Sequence, residues 1–329
     1  MSQTLRRNML AGVIRYGIKP LLGGRLSYPM QRRVATAATS VCLAPKGMSY
    51  TEINLGGVPC ESVTVGKTSD NTLLWLHGGG YCVGSSLTDR APAGQFSKAS
   101  NARVIVPDYR LAPENPHPAA LEDALAVYKA LIAEMGGAEK VVIGGDSAGG
   151  GLTLALAVAI RDAGLPLPAG MVFCSPWVDL RCVQQTYKTR AGDDPWLSLD
   201  TLKVWAAAYL GDLPADTPAC SPLLADLNGL PPALIQVGDC EILLDDSIEL
   251  NRKFQASGVD STLHVYPNMW HIFFLQAGIL EQADAAIAEI GQFLAGCWKN
   301  SQAAAKPTKT RTASRTATKT TRARAVKAS

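Results

Sequence analysis

Residues 141–150 read Val-Val-Ile-Gly-Gly-Asp-Ser-Ala-Gly-Gly, and this stretch decides the fold. The β-branched run predicts a buried strand, and the Ala- and Leu-rich residues 148–163 predict a helix that follows at once. Between them, residues 145–149 match the pattern G-x-S-x-G, whose glycines let the chain turn sharply and leave the serine exposed. Ser147 is therefore a candidate nucleophile. Because so short a pattern also arises by chance, it needs partners elsewhere in the chain.

Strand and helix patterns alternate from about residue 70. Apolar runs predict strands at 73–76, 104–106, 141–144, 171–174, 234–237 and 262–265. Apolar residues at helical spacing predict helices over 119–135, 148–163, 242–256 and 277–298. Two earlier runs, 51–55 and 61–65, flank a Gly-Gly-Val-Pro turn and predict an antiparallel hairpin. Alternation of this kind is typical of an α/β fold with a mostly parallel central sheet flanked by helices.

Two segments fall outside the alternation. Residues 1–45 predict N-terminal helices, and residues 179–222 form an unusually long insertion with a predicted helix at 199–210. Ligands of open α/β sheets bind at the carboxyl ends of the strands. We therefore expect both segments to form a helical cap over that edge, with residues 46–300 as the catalytic domain.

The composition is that of a globular protein. The chain has 329 residues, of which 47% are apolar and 18% charged. Its eight cysteines form no C-x-x-C pair, which indicates reduced thiols in an intracellular protein and no metal site. The apolar run 9–14 is followed by Arg15 and Lys19, so it resembles neither a signal peptide nor a membrane span. These observations predict a cytoplasmic protein.

The last 29 residues differ from the rest of the chain. Residues 301–329 contain eight Lys or Arg and no acid, among mostly Ala, Thr and Ser. Such a composition predicts a disordered tail. Its basic charge could make a weak contact with a polyanion, although a solvated tail without a role in the chemistry is the favoured interpretation.

A glycine loop follows the first strand of the alternation. The sequence His77-Gly78-Gly79-Gly80-Tyr81 lets backbone N–H groups approach a negatively charged oxygen without obstruction by a Cβ atom. We expect the N–H groups of Gly79, Gly80 and Ala148 to form an oxyanion hole. His77 is expected to orient this loop rather than to act as a base.

Only four histidines are available as a base: His77, His117, His264 and His271. In this type of elbow the order along the chain is nucleophile, acid, histidine, which leaves His264 and His271. His264 alternates with apolar residues inside a predicted strand, whereas His271 follows that strand in a loop. We therefore favour His271.

The acid is less clearly defined, because four carboxylates follow the strand at 234–237. They are Asp239, Glu241, Asp245 and Asp246. The last two are expected to begin a helix, where negative charge is favourable. On the residues alone, Asp239 and Glu241 both remain candidates.

Several segments together resemble a known family. Residues 77–81, 108–114, 116–120, 144–150, 221–223 and 231–246 are similar to the hormone-sensitive-lipase family of α/β hydrolases, the bacterial esterases and lipases with a GDSAG motif. The resemblance covers about residues 45–298. It implies the α/β-hydrolase fold and an acid at the first position of a D-x-L-x-D/E block. Glu241 occupies that position, where an Asp is usual, and it remains able to reach His271, so Glu241 is favoured over Asp239.

The resemblance implies a carboxylesterase that hydrolyses short acyl esters of small molecules through an acyl-serine intermediate, without a metal or cofactor. A lactone hydrolase would use the same residues. A non-catalytic ligand-binding homologue is the other alternative, but such proteins lack the late histidine that is present here as His271. A homodimer is left open.

Other residues near these motifs receive structural interpretations. Asp146 is expected to form hydrogen bonds within the elbow or the glycine loop, and Arg110 is expected to pair with Glu114. Four aromatic residues either line a pocket or pack in the core: Trp196, Trp205, Tyr209 and Phe274.

Overall fold

The computed structural model describes residues 2–305, in which an eight-stranded sheet is covered by helices on both faces. The strands are β1 Met48–Leu55, β2 Val58–Val65, β3 Thr72–Leu76, β4 Arg103–Pro107, β5 Val141–Asp146, β6 Gly170–Cys174, β7 Ala233–Gly238 and β8 Ser261–Tyr266. Their order across the sheet is β1-β2-β4-β3-β5-β6-β7-β8. The six strands β4-β3-β5-β6-β7-β8 pair in parallel. Strand β2 pairs antiparallel with β1 on one side and with β4 on the other.

The central strands have no exposed face. Every residue of β3, β5, β6 and β7 is buried. Parallel strands covered by helices on both sides require nearly continuous apolar sequence, which is why the predicted runs coincide with them to within two residues at each end. The α/β-hydrolase fold inferred from the sequence is confirmed.

Nine α-helices surround the sheet in the described residues. They are α1 Gln3–Val13, α2 Tyr28–Thr39, α3 Ser86–Ser100, α4 Ala119–Met135, α5 Ala148–Asp162, α6 Thr186–Thr189, α7 Leu199–Leu210, α8 Leu244–Ala256 and α9 Glu281–Ala305. Helix α3 was not predicted from the sequence; it contains Pro92 and begins with a capping box between Ser85 and Thr88. None of the helices within residues 2–305 has the length and hydrophobicity needed to cross a membrane.

The last helix extends further than expected. Helix α9 continues to Ala305, so the prediction of disorder was wrong for residues 301–305. Its first turn begins at Glu281 rather than at residue 277. The remainder of the predicted basic tail, residues 306–329, lies outside the described residues.

Side chains of the N-terminal segment donate hydrogen bonds to backbone carbonyl oxygens of the insertion between β6 and β7. Arg15 donates hydrogen bonds to the carbonyl oxygens of Gly192 and Asp193, at 2.6 and 2.7 Å. Lys19 donates to the carbonyl oxygen of Asp194 at 2.8 Å. In addition, the indole N–H of Trp205 on α7 donates to Gln31 Oε1 on α2. The two segments outside the alternation therefore contact each other directly.

The expected pair between Arg110 and Glu114 was wrong. Arg110 instead binds Asp123 and Glu122 on helix α4. Glu114 is left to pair with Arg32 of α2, at 2.6 Å. The pairing places Glu114 in the contact between the catalytic domain and the N-terminal helices.

The first turn of α5 packs against the end of β3 at a distance that only glycine permits. A Cβ atom on Gly149 would overlap the carbonyl oxygens of Leu76 and His77. This contact brings Ser147 and Ala148 next to the glycine loop that follows β3. The position of the elbow therefore depends on the absence of a side chain at residue 149.

We expect Gly149→Ala to lower the free energy of unfolding by about 1–3 kcal/mol, because backbone atoms of two elements must move apart. Gly296→Ala is the matched control: Gly296 also lies in a helix, and its Cβ atom would meet no atom within 4 Å. The control should be neutral or stabilising by up to about 1 kcal/mol. Urea denaturation measures both, and equal effects of the two substitutions would contradict this account.

Candidate active site

Ser147 lies in the turn between β5 and α5, in a conformation that non-glycine residues rarely adopt. Its φ and ψ angles are 52° and −124°. Two backbone hydrogen bonds stabilise this turn: Ser147 N–H donates to Cys174 O at 3.0 Å, and Trp177 N–H donates to Ser147 O at 2.8 Å. A strained serine at this position is the geometry expected of a nucleophile elbow.

His271 and Glu241 are joined by a hydrogen bond of 2.8 Å between Nδ1 and Oε2. Both side chains are buried. Because a carboxylate oxygen accepts, Nδ1 carries the proton, which leaves Nε2 with a lone pair. This tautomer is the one that a general base in a serine hydrolase requires.

The other oxygen of Glu241 is also fixed. Its Oε1 atom accepts hydrogen bonds from Ser175 Oγ at 2.7 Å and from Gly238 N–H at 2.8 Å. With three donors around it, the carboxylate has a defined orientation towards His271.

The two rivals considered from the sequence lie elsewhere. Asp239 accepts a hydrogen bond from Asn268 N–H at 2.6 Å, which stabilises the turn after β8. His264 lies on the edge strand β8 with half of its side chain exposed, where it contacts Glu289. The structure therefore brings Glu241 and His271 together and places Asp239 and His264 in other contacts.

Gly78 and Gly79 of the glycine loop lie near Ser147 and His271. Gly79 and Gly80 have φ angles of 116° and 61°, which favour glycine. A Cβ atom on Gly80 would overlap the ring of Trp205. Within residues 2–305, no acceptor receives a hydrogen bond from the N–H groups of Gly79, Gly80 or Ala148.

His77 supports the glycine loop. Its ring is completely buried and stacks on Tyr109 with 4.1 Å between ring centroids. The Nδ1 atom lies 2.8 Å from Gly78 O, and since a carbonyl only accepts, Nδ1 carries the proton. Burial lowers the pKa of His77, which favours the neutral ring.

Two buried carboxyl groups, Asp89 and Asp146, lie beside the glycine loop. Asp146 accepts a hydrogen bond from Gly78 N–H at 3.0 Å, as expected from the sequence. Asp89, on α3, accepts from Trp75 Nε1 and Thr88 Oγ1. Burial, followed by the charge of Asp89, raises the pKa of Asp146 well above its ordinary value. Burial also raises the pKa of Asp89, and the nearby His77 opposes that increase.

Ser147, His271, Asp89 and Asp146 line one cavity that is partly open to solvent. The catalytic domain contributes Ser147, His271 and the two buried carboxyl groups, whereas the walls opposite them are mostly apolar. Both segments outside the alternation contribute to those walls, through Ile18, Leu22, Ala35, Ala38, Trp196, Leu197 and Trp205.

Only two of the four aromatic candidates line this cavity, namely Trp196 and Trp205. Tyr209 is buried and stacks on Tyr81 with 3.8 Å between centroids. Phe274 packs against Trp75 and Phe96. The last two are therefore core residues.

Two residues that position the site were not predicted from the sequence. Ser175, at the end of β6, donates to Glu241 and accepts from Ile272 N–H at 3.2 Å, so it joins the acid to the segment that carries His271. Asp194 in the insertion accepts from Ile242 N–H at 2.9 Å, next to Glu241. Neither residue belongs to a local motif; a positive φ of 47° at Ser175 becomes visible only in the structure.

In the described residues, all eight cysteines are free, and six of them are buried. No group of three or more His, Cys, Asp or Glu side chains in residues 2–305 is arranged to hold a metal ion.

Comparison with known proteins defines the class. A family model described as the alpha/beta hydrolase fold matches residues 73–275. LipR of Mycobacterium tuberculosis is 37% identical over 300 residues, which are 91% of this chain and 97% of LipR. An acetyl-hydrolase of Streptomyces hygroscopicus is 39% identical over 251 residues, 73% of this chain and 84% of that protein.

Solved structures agree with these relatives. The crystal structure of an esterase from the bacterial hormone-sensitive lipase family superimposes with a TM-score of 0.86 at 38% identity, covering 91% of this chain and all of that one. The chain belongs to the hormone-sensitive-lipase family of bacterial α/β hydrolases.

Asp146→Asn should alter how stability depends on pH. Because the pKa of Asp146 is raised by folding, its protonated form is stabilising, and this contribution is lost as the pH rises through the folded-state pKa. Asn keeps an acceptor for Gly78 N–H and cannot ionise. We expect the free energy of unfolding of the variant, relative to wild type, to increase in urea titrations as the pH rises above 3.8, the ordinary pKa of the carboxyl group. The exposed carboxylate of Asp212 provides the control, Asp212→Asn, and a pH-independent difference for Asp146→Asn would contradict the account.

Proposed function

We propose that this protein is a carboxylesterase that hydrolyses short acyl esters through an acyl-serine intermediate on Ser147. The observation that carries the proposal is that His271, hydrogen-bonded to Glu241, lines the same cavity as the strained Ser147. The family supports it, since relatives of this chain are named acetyl-hydrolase and esterase. No metal or cofactor is required by this chemistry.

In the first half of the proposed reaction, Ser147 Oγ attacks the ester carbonyl carbon while His271 Nε2 takes the hydroxyl proton. The negative charge on the carbonyl oxygen is stabilised by the N–H groups of Gly79, Gly80 and Ala148, which have no other acceptor within residues 2–305. As the tetrahedral intermediate collapses, the C–O bond breaks and His271 returns the proton to the leaving alcohol. Glu241 stabilises the imidazolium that exists between these steps.

In the second half, water replaces the alcohol. His271 takes a proton from the water, whose oxygen attacks the acyl carbon. Collapse releases the carboxylic acid and returns the proton to Ser147. The proposed role of Glu241 in both halves is supported by its hydrogen bonds to His271, Ser175 and Gly238.

The apolar walls of the cavity support a preference for short acyl groups. Trp196 and Trp205 from the insertion, together with Ile18 and Leu22 from the N-terminal segment, limit the room next to Ser147. We propose that both segments act as the cap of this enzyme. The cytoplasmic location, the homodimer and the polyanion contact of the tail stay predictions.

Ser147→Ala should reduce kcat for p-nitrophenyl butyrate by at least about 10⁴-fold, because no nucleophile remains. Glu241→Ala should reduce kcat by about 10³–10⁴-fold, because His271 loses the partner that fixes its tautomer. The matched control is Asp239→Ala, which removes a carboxylate two residues away and should leave kcat within about threefold of wild type. A large loss for Asp239→Ala together with near-wild-type activity for Glu241→Ala would transfer the acid role to Asp239.

A series of p-nitrophenyl esters tests the acyl preference. We expect kcat/KM to be highest for acetate to hexanoate and to fall by about tenfold or more for dodecanoate, since the longer chain exceeds the cavity. Micelle formation is avoided by working below the critical concentration of each ester. A maximum at dodecanoate would contradict the proposed short-chain preference, and activity on all of these esters would still be consistent with the triad.

A further inference from the structure

The N-terminal helix exposes an unusual row of apolar side chains. Leu5, Met9 and Val13 lie on α1 at spacings of four residues, and Tyr16 follows in the π-helical turn Ile14–Ile18 that continues it; the four are 50%, 54%, 63% and 81% exposed. In an α-helix a spacing of four residues puts the side chains of Leu5, Met9 and Val13 on one face. We call these four side chains the exposed stripe. Nothing in residues 2–305 covers it, although burial of such side chains is favourable.

The charge of the chain is divided between its N-terminal segment and its body. Residues 1–45 contain seven Lys or Arg and no Asp or Glu, whereas residues 46–300 contain sixteen basic and twenty-eight acidic residues. Only some of the seven have partners: Arg32 is paired with Glu114, and Arg15 and Lys19 bind carbonyl oxygens while keeping their charge. An anionic surface therefore attracts the segment with the exposed stripe and repels the body, which orients the molecule.

A second copy of this chain fits the stripe less well. Symmetric contact through α1 would bring two segments of formal charge +7 together. Four side chains on one short helix also provide little of the roughly 1,600 Å² that a standard protein interface buries. Apolar side chains flanked by basic residues on a helix are, in contrast, the pattern of helices that lie at a membrane surface.

We propose that α1 docks this protein on an anionic lipid surface, with the exposed stripe inserted among the acyl chains and the basic residues of the N-terminal segment near the headgroups. The same segment supplies Ile18, Leu22, Ala35 and Ala38 to the cavity wall. The segment that docks is therefore also the one that contributes to the cavity wall. The proposal goes beyond the esterase activity, and its test does not depend on that activity.

The test is vesicle flotation with the full chain. Vesicles of phosphatidylcholine alone are compared with vesicles containing 30% phosphatidylglycerol, at low salt. Wild type should float with the anionic vesicles and at least about tenfold less with the neutral ones. Leu5→Gln/Met9→Gln/Val13→Gln/Tyr16→Gln should reduce flotation with anionic vesicles by about tenfold or more, because it removes the inserted groups and keeps the charge.

The matched control replaces four exposed apolar side chains of the body, Val183, Leu213, Ile248 and Val265, by Gln. These are 60%, 40%, 39% and 37% exposed. The control should float like wild type, and both variants should give the wild-type circular dichroism spectrum, which shows that they are folded. The single substitution Tyr16→Asp changes the most exposed side chain of the exposed stripe. It should weaken flotation even if the fourfold stripe variant fails to fold.

Three results would overturn the proposal. Unchanged flotation of the stripe variants would assign vesicle binding to other basic residues, including those of 301–329. Equal flotation with neutral vesicles would remove the role of charge. If wild type does not float, and light scattering shows a dimer that the stripe substitutions dissociate, the stripe is the contact with a second copy. Loss of activity in Ser147→Ala with flotation retained would separate docking from catalysis.

Discussion

The close approach of α5 to the end of β3 is the constraint on which the site depends. Gly149 allows backbone to meet backbone there, so the serine at the start of α5 and the glycine loop after β3 lie next to each other. A parallel sheet brings the ends of its strands to one edge, but it does not by itself set the distance between a helix and a neighbouring loop. In this molecule the absence of a side chain at Gly149 sets that distance. The strained backbone of Ser147 is held by hydrogen bonds to the end of β6 and to the loop after it.

Features that depend on local sequence could be predicted. Buried parallel strands appear as apolar runs, and the elbow and glycine loop are continuous motifs, so both were recognised from the residues. The choice between Asp239 and Glu241 could not be made in the same way, because both follow β7 and the decision lies in where each side chain turns. The structure directs Asp239 to the backbone of Asn268 and Glu241 to His271. Helix α3 was missed because Pro92 and its polar residues hide the pattern, although eight of its residues are buried.

Contacts between distant parts of the chain could not be predicted from the sequence. Ser175 and Asp194 act on the segments around Glu241 from positions 66 and 48 residues away along the chain. Helix α3 likewise brings Asp89 beside Asp146, where two carboxyl groups share a buried region with the neutral ring of His77. The glycine loop thus rests on groups whose charged forms are disfavoured by burial.

The attachment of the N-terminal segment has a consequence for the evolution of this protein. Arg15 and Lys19 bind the backbone carbonyl oxygens of residues 192–194. Every amino acid has such an oxygen. Side chains in that loop are therefore free to change without loss of the attachment, unless they also serve another contact, as Asp194 does. Residues that follow the loop, such as Trp196, line the cavity. Selection for a different substrate could thus exchange wall residues while the two segments remain joined.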